Sequence, residues 1–225
     1  LVIFCGVGSH DGSHDGYNIT ARFITSFANE EGVIFVTGTG NSGNSEGHVI
    51  NYVKNNGDIG TVELLISKNM KHLEFYVWIQ KPDIMSLNII DPSGEEMGYF
   101  APKIYSTYEK NFYLLNTNLK VTSYNPENFT GHQVFLVVFT DIKSGIWKLN
   151  LRGEYITNGR FDIWLPDKTL LPEGTKFLNS SPDTTLTIPS TAKRVTTVAY
   201  YNSINDAIVT SSGKGFDSNQ TINPD

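Results

Sequence analysis

The stretch best suited to chemistry is an apolar run that ends in a glycine-flanked asparagine, Val33-Ile-Phe-Val-Thr-Gly-Thr-Gly-Asn-Ser-Gly43. Gly38, Gly40 and Gly43 let the backbone turn sharply and approach a neighbouring segment closely. Asn41, placed at such a turn, can point its amide N–H outward, the donor that an oxyanion hole requires. Gly-Asn-x-Gly also occurs in plain strand-to-loop turns, so the motif alone leaves both readings open.

A second group is the repeat His10-Asp-Gly12 and His14-Asp-Gly16. Imidazole and carboxylate together suit zinc and similar ions. The competing role is capping, because Asp15 or Ser13 stands just before a helical pattern and can satisfy its free N–H groups. Capping is the expectation, and no metal or other cofactor is expected. His72 and His132 have no partner visible in the sequence. Cys5 is the only cysteine, which excludes an intrachain disulfide and a thiolate metal cage.

The elements that must position Asn41 follow from periodicity. Val33 to Val36 has no alternation, which calls for cover on both faces, as in a parallel sheet between helices. Leu1 to Cys5 reads as another buried strand, followed by the turn Gly6-Val-Gly8. Between them Ile19, Phe23 and Phe27 recur four apart from Tyr17 to Asn29, with Ile24 alongside, on one helical face. Strand, helix and strand make a right-handed βαβ unit, with chemistry beyond the strand carboxyl ends. The loops after Cys5 and Val36 would lie side by side there.

After His48 the pattern changes to short β-branched and aromatic runs: 62–66, 73–79, 87–90, 112–115, 134–139, 146–151 and 161–164. Asp91-Pro-Ser-Gly94 fits a β-turn. This spacing predicts an antiparallel sandwich or jelly roll. Trp78, Trp147 and Trp164 either fill its core or line a sugar-binding cleft. Beyond Pro166 the chain returns, with an interior strand over Arg194–Tyr201 and a tight turn at Ser211-Ser-Gly-Lys-Gly215. The predicted fold class is therefore α/β, a partial parallel sheet interrupted by an inserted all-β sandwich. The expected segments are 1–58 and 169–225 for the first domain and 59–168 for the insert.

The net charge of -6 and pI near 5.3 argue against an extended phosphate-binding surface, so nucleic acid is not an expected partner. No apolar run is long enough to cross a bilayer, and no membrane association is expected. The chain opens inside an apolar run and stops without closing an element, which reads as a piece of a longer protein. Asn-x-Ser/Thr sites stand at Asn18, Asn128, Asn179 and Asn219.

Several of these segments together resemble the subtilisin-like serine proteases. Gly38-Thr-Gly-Asn-Ser-Gly43 is similar to the segment around that family's oxyanion-hole asparagine. Ile188 to Ala199 is similar to its later strand, and Ser211-Ser-Gly-Lys-Gly215 with Pro224-Asp225 to the stretch that precedes its nucleophile. Closer still are the clostridial subtilases of the Csp type, associated with spore germination, in which a jelly roll interrupts the protease sheet. Gly12-Ser-His-Asp-Gly16, Gly43 to His48, Leu151 to Ile156 and Gly159 to Leu165 resemble that branch. Asp91-Pro-Ser-Gly94 and Ser144-Gly-Ile-Trp147 also resemble the P domain of proprotein convertases.

The resemblance implies a subtilisin-like parallel sheet, a peptide or protein substrate and a spore-associated or secreted bacterial protein. It implies that the catalytic aspartate, histidine and serine lie outside these 225 residues, so the chain alone hydrolyses nothing. Asn41 would be the oxyanion donor. Phe4, Cys5 and Gly6 would form the substrate-facing edge, with Gly38 and Gly40 beside them. The family pattern has small or polar residues where Phe4 and Val7 stand, and a glycine that Val198-Ala-Tyr-Tyr201 lacks. Those departures imply a narrowed cleft and keep two alternatives open, a catalytically inactive subtilase that binds or signals and a carbohydrate-binding sandwich.

Overall fold

The computed structural model describes residues 1–215. Pro224-Asp225 and the site at Asn219, both singled out above, lie outside the described residues. The chain forms two compact units, Leu1–Glu46 with the chain from Ser181, and Gly47–Ser180. It first lays down β1 (Val2–Cys5), α1 (Ile19–Ala28) and β2 (Ile34–Gly38). The second unit holds β3 (His48–Tyr52), β4 (Ile59–Ile66), β5 (Met70–Ile79), β6 (Ile84–Ile90), β7 (Ser106–Phe112), β8 (Thr117–Tyr124), β9 (Gln133–Ile142), β10 (Gly145–Tyr155), β11 (Arg160–Trp164) and β12 (Lys176–Phe177). Returning to the first unit, the chain adds β13 (Thr196–Val198), β14 (Tyr201–Asn202) and β15 (Ala207–Ile208).

The expected α/β class is corrected by this inventory. Among the described residues there are fifteen strands and one α-helix of ten residues, and most strand pairs are antiparallel. The chain is mostly β. Parallel pairing is confined to one three-stranded sheet, in the order β1-β2-β13. The physical reason is that helical periodicity occurs once, over Ile19–Phe27, whereas the period-two runs that make strands fill most of the length. One helix cannot cover both faces of a sheet.

Burial departs from expectation in the same place. Phe4 is 74% exposed, and Val2, Ile34 and Val198 are also exposed, although unalternated strands predict cover on both faces. On α1 it is Ala21 that is buried, while Ile19, Phe23 and Phe27 lie open. Asn18, not Ser13 or Asp15, caps that helix. Its side chain accepts from Ala21 N–H at 2.8 Å while its amide donates to the Ser13 carbonyl. Asp15 instead accepts from the Ser13 hydroxyl and the Tyr17 N–H.

In the second unit a four-stranded sheet, β12-β4-β10-β6, and a six-stranded sheet, β3-β11-β5-β9-β8-β7, share one apolar core. Trp147 sits in it, edge-on to Phe112 and Phe139. Trp78 and Trp164 are also buried, at 8% and 6% exposed, in a smaller cluster with Val134. The predicted strand at 112–115 is not one. Phe112 ends β7, and Tyr113–Asn116 form the turn into β8, with exposed Tyr113 and Leu114 and a left-handed Asn116. A tight hairpin outweighs the strand propensity of those side chains.

Two carboxylates pin this unit. The Asp91 main-chain carbonyl accepts from the Gly94 N–H to close the turn, and its carboxylate accepts from the N–H of Ser93 and Glu95. Asp162 on β11 lies between His48, 3.2 Å away on the paired β3, and a bidentate Arg160 at 2.8 and 2.9 Å. Burial pushes its carboxyl up, but the hydrogen bonds from His48 and Arg160 outweigh that and hold it below the usual range. The His48 ring stacks on Trp164 at 4.6 Å.

Candidate functional site

The carboxyl ends of the three parallel strands bring the expected site residues into one region of the first unit. Cys5 at the end of β1 lies in register with Thr37, and Val198 at the end of β13 lies in register with Gly38. Asn41 follows three residues beyond Gly38 and is exposed between buried Thr39 and Ser42. The Asn41 side chain is therefore open to a ligand, while Thr39, Ser42 and Gly43 around it are buried.

Several segments fix that loop. Thr39 N–H donates to the Val198 carbonyl at 3.2 Å, and its own carbonyl accepts from Thr187 N–H at 3.2 Å. Gly213 N–H donates to the Gly40 carbonyl and Gly43 N–H to the Ser211 carbonyl, each at 3.0 Å. The hydroxyls of Thr39 and Ser212 meet at 2.9 Å in the interior. Gly43 is required by proximity, since a β-carbon there would lie 2.1 Å from the Ser212 carbonyl oxygen. Ser211-Ser-Gly213, expected as a tight turn, is thus the brace under the Asn41 loop.

On the edge strand, Phe4 and Val7 are both exposed, Cys5 is half-buried and Gly6 is open. The Phe4 ring leans toward Gly6, whose missing β-carbon would stand 3.1 Å from the ring. A peptide approaching Cys5–Gly6 therefore meets the Phe4 ring.

The two histidines of the repeat serve a purpose the sequence did not suggest. His14 Nδ1 lies 2.7 Å from the Leu186 carbonyl, His14 Nε2 lies 3.4 Å from His10 Nδ1, and His10 Nε2 lies 2.8 Å from Ser42 Oγ. The two rings stack at 5.1 Å and His14 is buried. Among the described residues no three His, Cys, Asp or Glu side chains converge as a metal site would need. The spacing of the two histidines was the only signal. Nothing in the sequence marked Ser42 as the end of the chain they form.

No protein-family model matches the chain, and no curated protein matches it. Among solved structures, the CspB protease of Clostridium perfringens superposes with a TM-score of 0.87 at 27% identity, over 99% of this chain and 46% of that one. The backbone is therefore related to a subtilase-like protease, and the chain spans less than half the length of the CspB protease.

Proposed function

We propose that this chain is part of a subtilisin-like serine endopeptidase, supplying the oxyanion donor and a substrate-facing edge while the catalytic triad lies outside it. The observation that carries this reading is the likeness to the CspB protease over 99% of the chain, with Asn41 at the carboxyl end of the parallel strands. When a serine attacks a peptide carbonyl, negative charge develops on the carbonyl oxygen. A preorganised amide N–H of Asn41 would stabilise that charge at no cost in reorganisation. Main-chain groups of Cys5–Gly6 would pair with the extended substrate as an added strand.

The exposed apolar residues fit the same reading. Val2, Phe4 and Ile34 on parallel strands, with Ile19 and Phe23 on α1, are residue types that a longer chain would cover. The test is fluorophosphonate labelling of the full-length parent, since only an activated serine reacts. Labelling on a serine outside residues 1–225, with peptide hydrolysis, supports the proposal. An intact parent that neither labels nor hydrolyses rejects it.

The Phe4 ring against Gly6 favours a second reading, a subtilase that no longer cleaves and acts by binding. Under it the parent fails to label, and Phe4→Ser does not restore labelling. The carbohydrate-binding alternative rested on the tryptophans, and all three are buried.

A further inference from the structure

The hydrogen-bond chain that ends at Ser42 has a direction, and the residue next to Ser42 is Asn41. A carbonyl oxygen can only accept, so His14 Nδ1 must carry the proton it shares with Leu186. With His14 neutral, its Nε2 is an acceptor, and His10 Nδ1 must then donate to it. With His10 neutral in turn, its Nε2 accepts from the Ser42 hydroxyl. Each tautomer fixes the next. With both rings neutral, one main-chain oxygen sets the order of donors as far as the loop that carries Asn41.

We propose that His14 and His10 are positioning residues for Asn41, acting through the Ser42 hydroxyl. This rests on the oxyanion role proposed above for Asn41, which it deepens by naming what holds that donor still. Ser42 is the side chain next to Asn41, it is buried, and the tie crosses 32 residues to a different loop. The main-chain bonds of Thr39, Gly40 and Gly43 fix the loop on either side. The hydroxyl tie fixes the intervening residue, and a second layer of hydrogen bonds of this kind is what keeps a donor at its productive position.

The arrangement predicts a spectroscopic signature that a merely space-filling pair of histidines would lack. Long-range proton–nitrogen correlation on histidine-labelled protein should find both rings with Nδ1 protonated and Nε2 unprotonated. A ring with the opposite tautomer would overturn the relay. Ser42→Ala should then shift the His10 Nε2 resonance and accelerate hydrogen exchange at the buried Gly43 main-chain amide, which follows Ser42 and donates to the Ser211 carbonyl, about five- to tenfold, the loss expected for one neutral hydrogen bond. Ser42→Thr, which keeps the hydroxyl, should restore both. Unchanged Gly43 exchange in Ser42→Ala would refute positioning even if the tautomers are as expected.

In the full-length parent, Ser42→Ala should lower kcat about tenfold with KM unchanged, and Ser42→Thr should recover it, as for a group acting only on transition-state binding. Unchanged kcat in an active parent refutes the positioning role. If instead the tautomers and exchange behave as expected while the parent hydrolyses nothing, the relay stands and the protease reading fails.

Discussion

A β-carbon on Gly40 would lie 2.5 Å from the Thr187 methyl and 2.7 Å from its hydroxyl. Gly40 also has φ of +80°, in the left-handed region. Two separate costs therefore attach to any side chain at this position, backbone strain and overlap with a buried threonine. Gly40→Ala should destabilise the first unit by about 1–3 kcal/mol, measured by denaturant unfolding. Combining it with Thr187→Gly removes the overlap but not the strain, so part of the loss should persist. Full recovery would mean that the left-handed backbone contributes nothing.

Asp83 offers a test of pH dependence in the second unit. It is buried, and it accepts from the Thr157 N–H at 2.5 Å, the Thr157 hydroxyl at 2.7 Å, and the N–H groups of Asn158 and Gly159. Burial pushes its carboxyl up, and these hydrogen bonds outweigh that and hold it below the ordinary value. A depressed carboxylate stabilises the fold fully above its unfolded pKa and loses that contribution as pH falls through the folded pKa. Asp83→Ala should cost about 3 kcal/mol at neutral pH, the size typical of a broken buried network. The difference between the two proteins should shrink in acid, followed through tryptophan emission in urea titrations.

Particular residues show which parts of the fold and the site are legible in the sequence. The Asn41 turn could be read because strand termination and glycine spacing are local signals. The tie from Ser42 to His10 could not, because it joins segments 32 residues apart through side chains with no pattern of their own. The parallel strands were legible but their burial was not. An unalternated run states that both faces can be covered, and Phe4 and Ile34 lie open because nothing among the described residues lies over them. The α/β reading failed for a related reason. It extended one βαβ unit to the class of a chain whose remaining runs are nearly all strands. In β8, exposed Asn118 and Lys120 alternate with buried Thr117, Leu119 and Val121, so a true strand was hidden by its polar half.

Trp147 is the place to test the shared core of the two sheets. It is fully buried, packs edge-on against Phe112 and Phe139, and its indole N–H donates to the Lys143 carbonyl at 2.9 Å. Trp147→Ala removes the ring contacts and leaves that carbonyl without its donor, so a loss of about 3–5 kcal/mol is expected. Trp147→Phe should cost less, by retaining the packing. Native emission should be blue-shifted and unresponsive to added oligosaccharides. A sugar-dependent shift would return a glycan role to this unit.

The deciding variant for the protease reading is at Asn41 itself. Asn41 is exposed, so truncating it removes little packing, and Asn41→Ala should leave the unfolding midpoint of the chain where it was. In the full-length parent the same change should lower turnover by roughly 10² to 10³ with KM nearly constant, because an oxyanion donor acts on the transition state and hardly on bound substrate. Asn41→Asp separates donation from shape. It is nearly isosteric, cannot donate when ionised, and brings negative charge toward a developing negative charge. Its turnover should fall at least as far as that of the alanine variant. If both variants turn over like the wild type, the donor lies elsewhere, and the braces supplied by Ser212, Thr187 and His10 would need a reason other than catalysis.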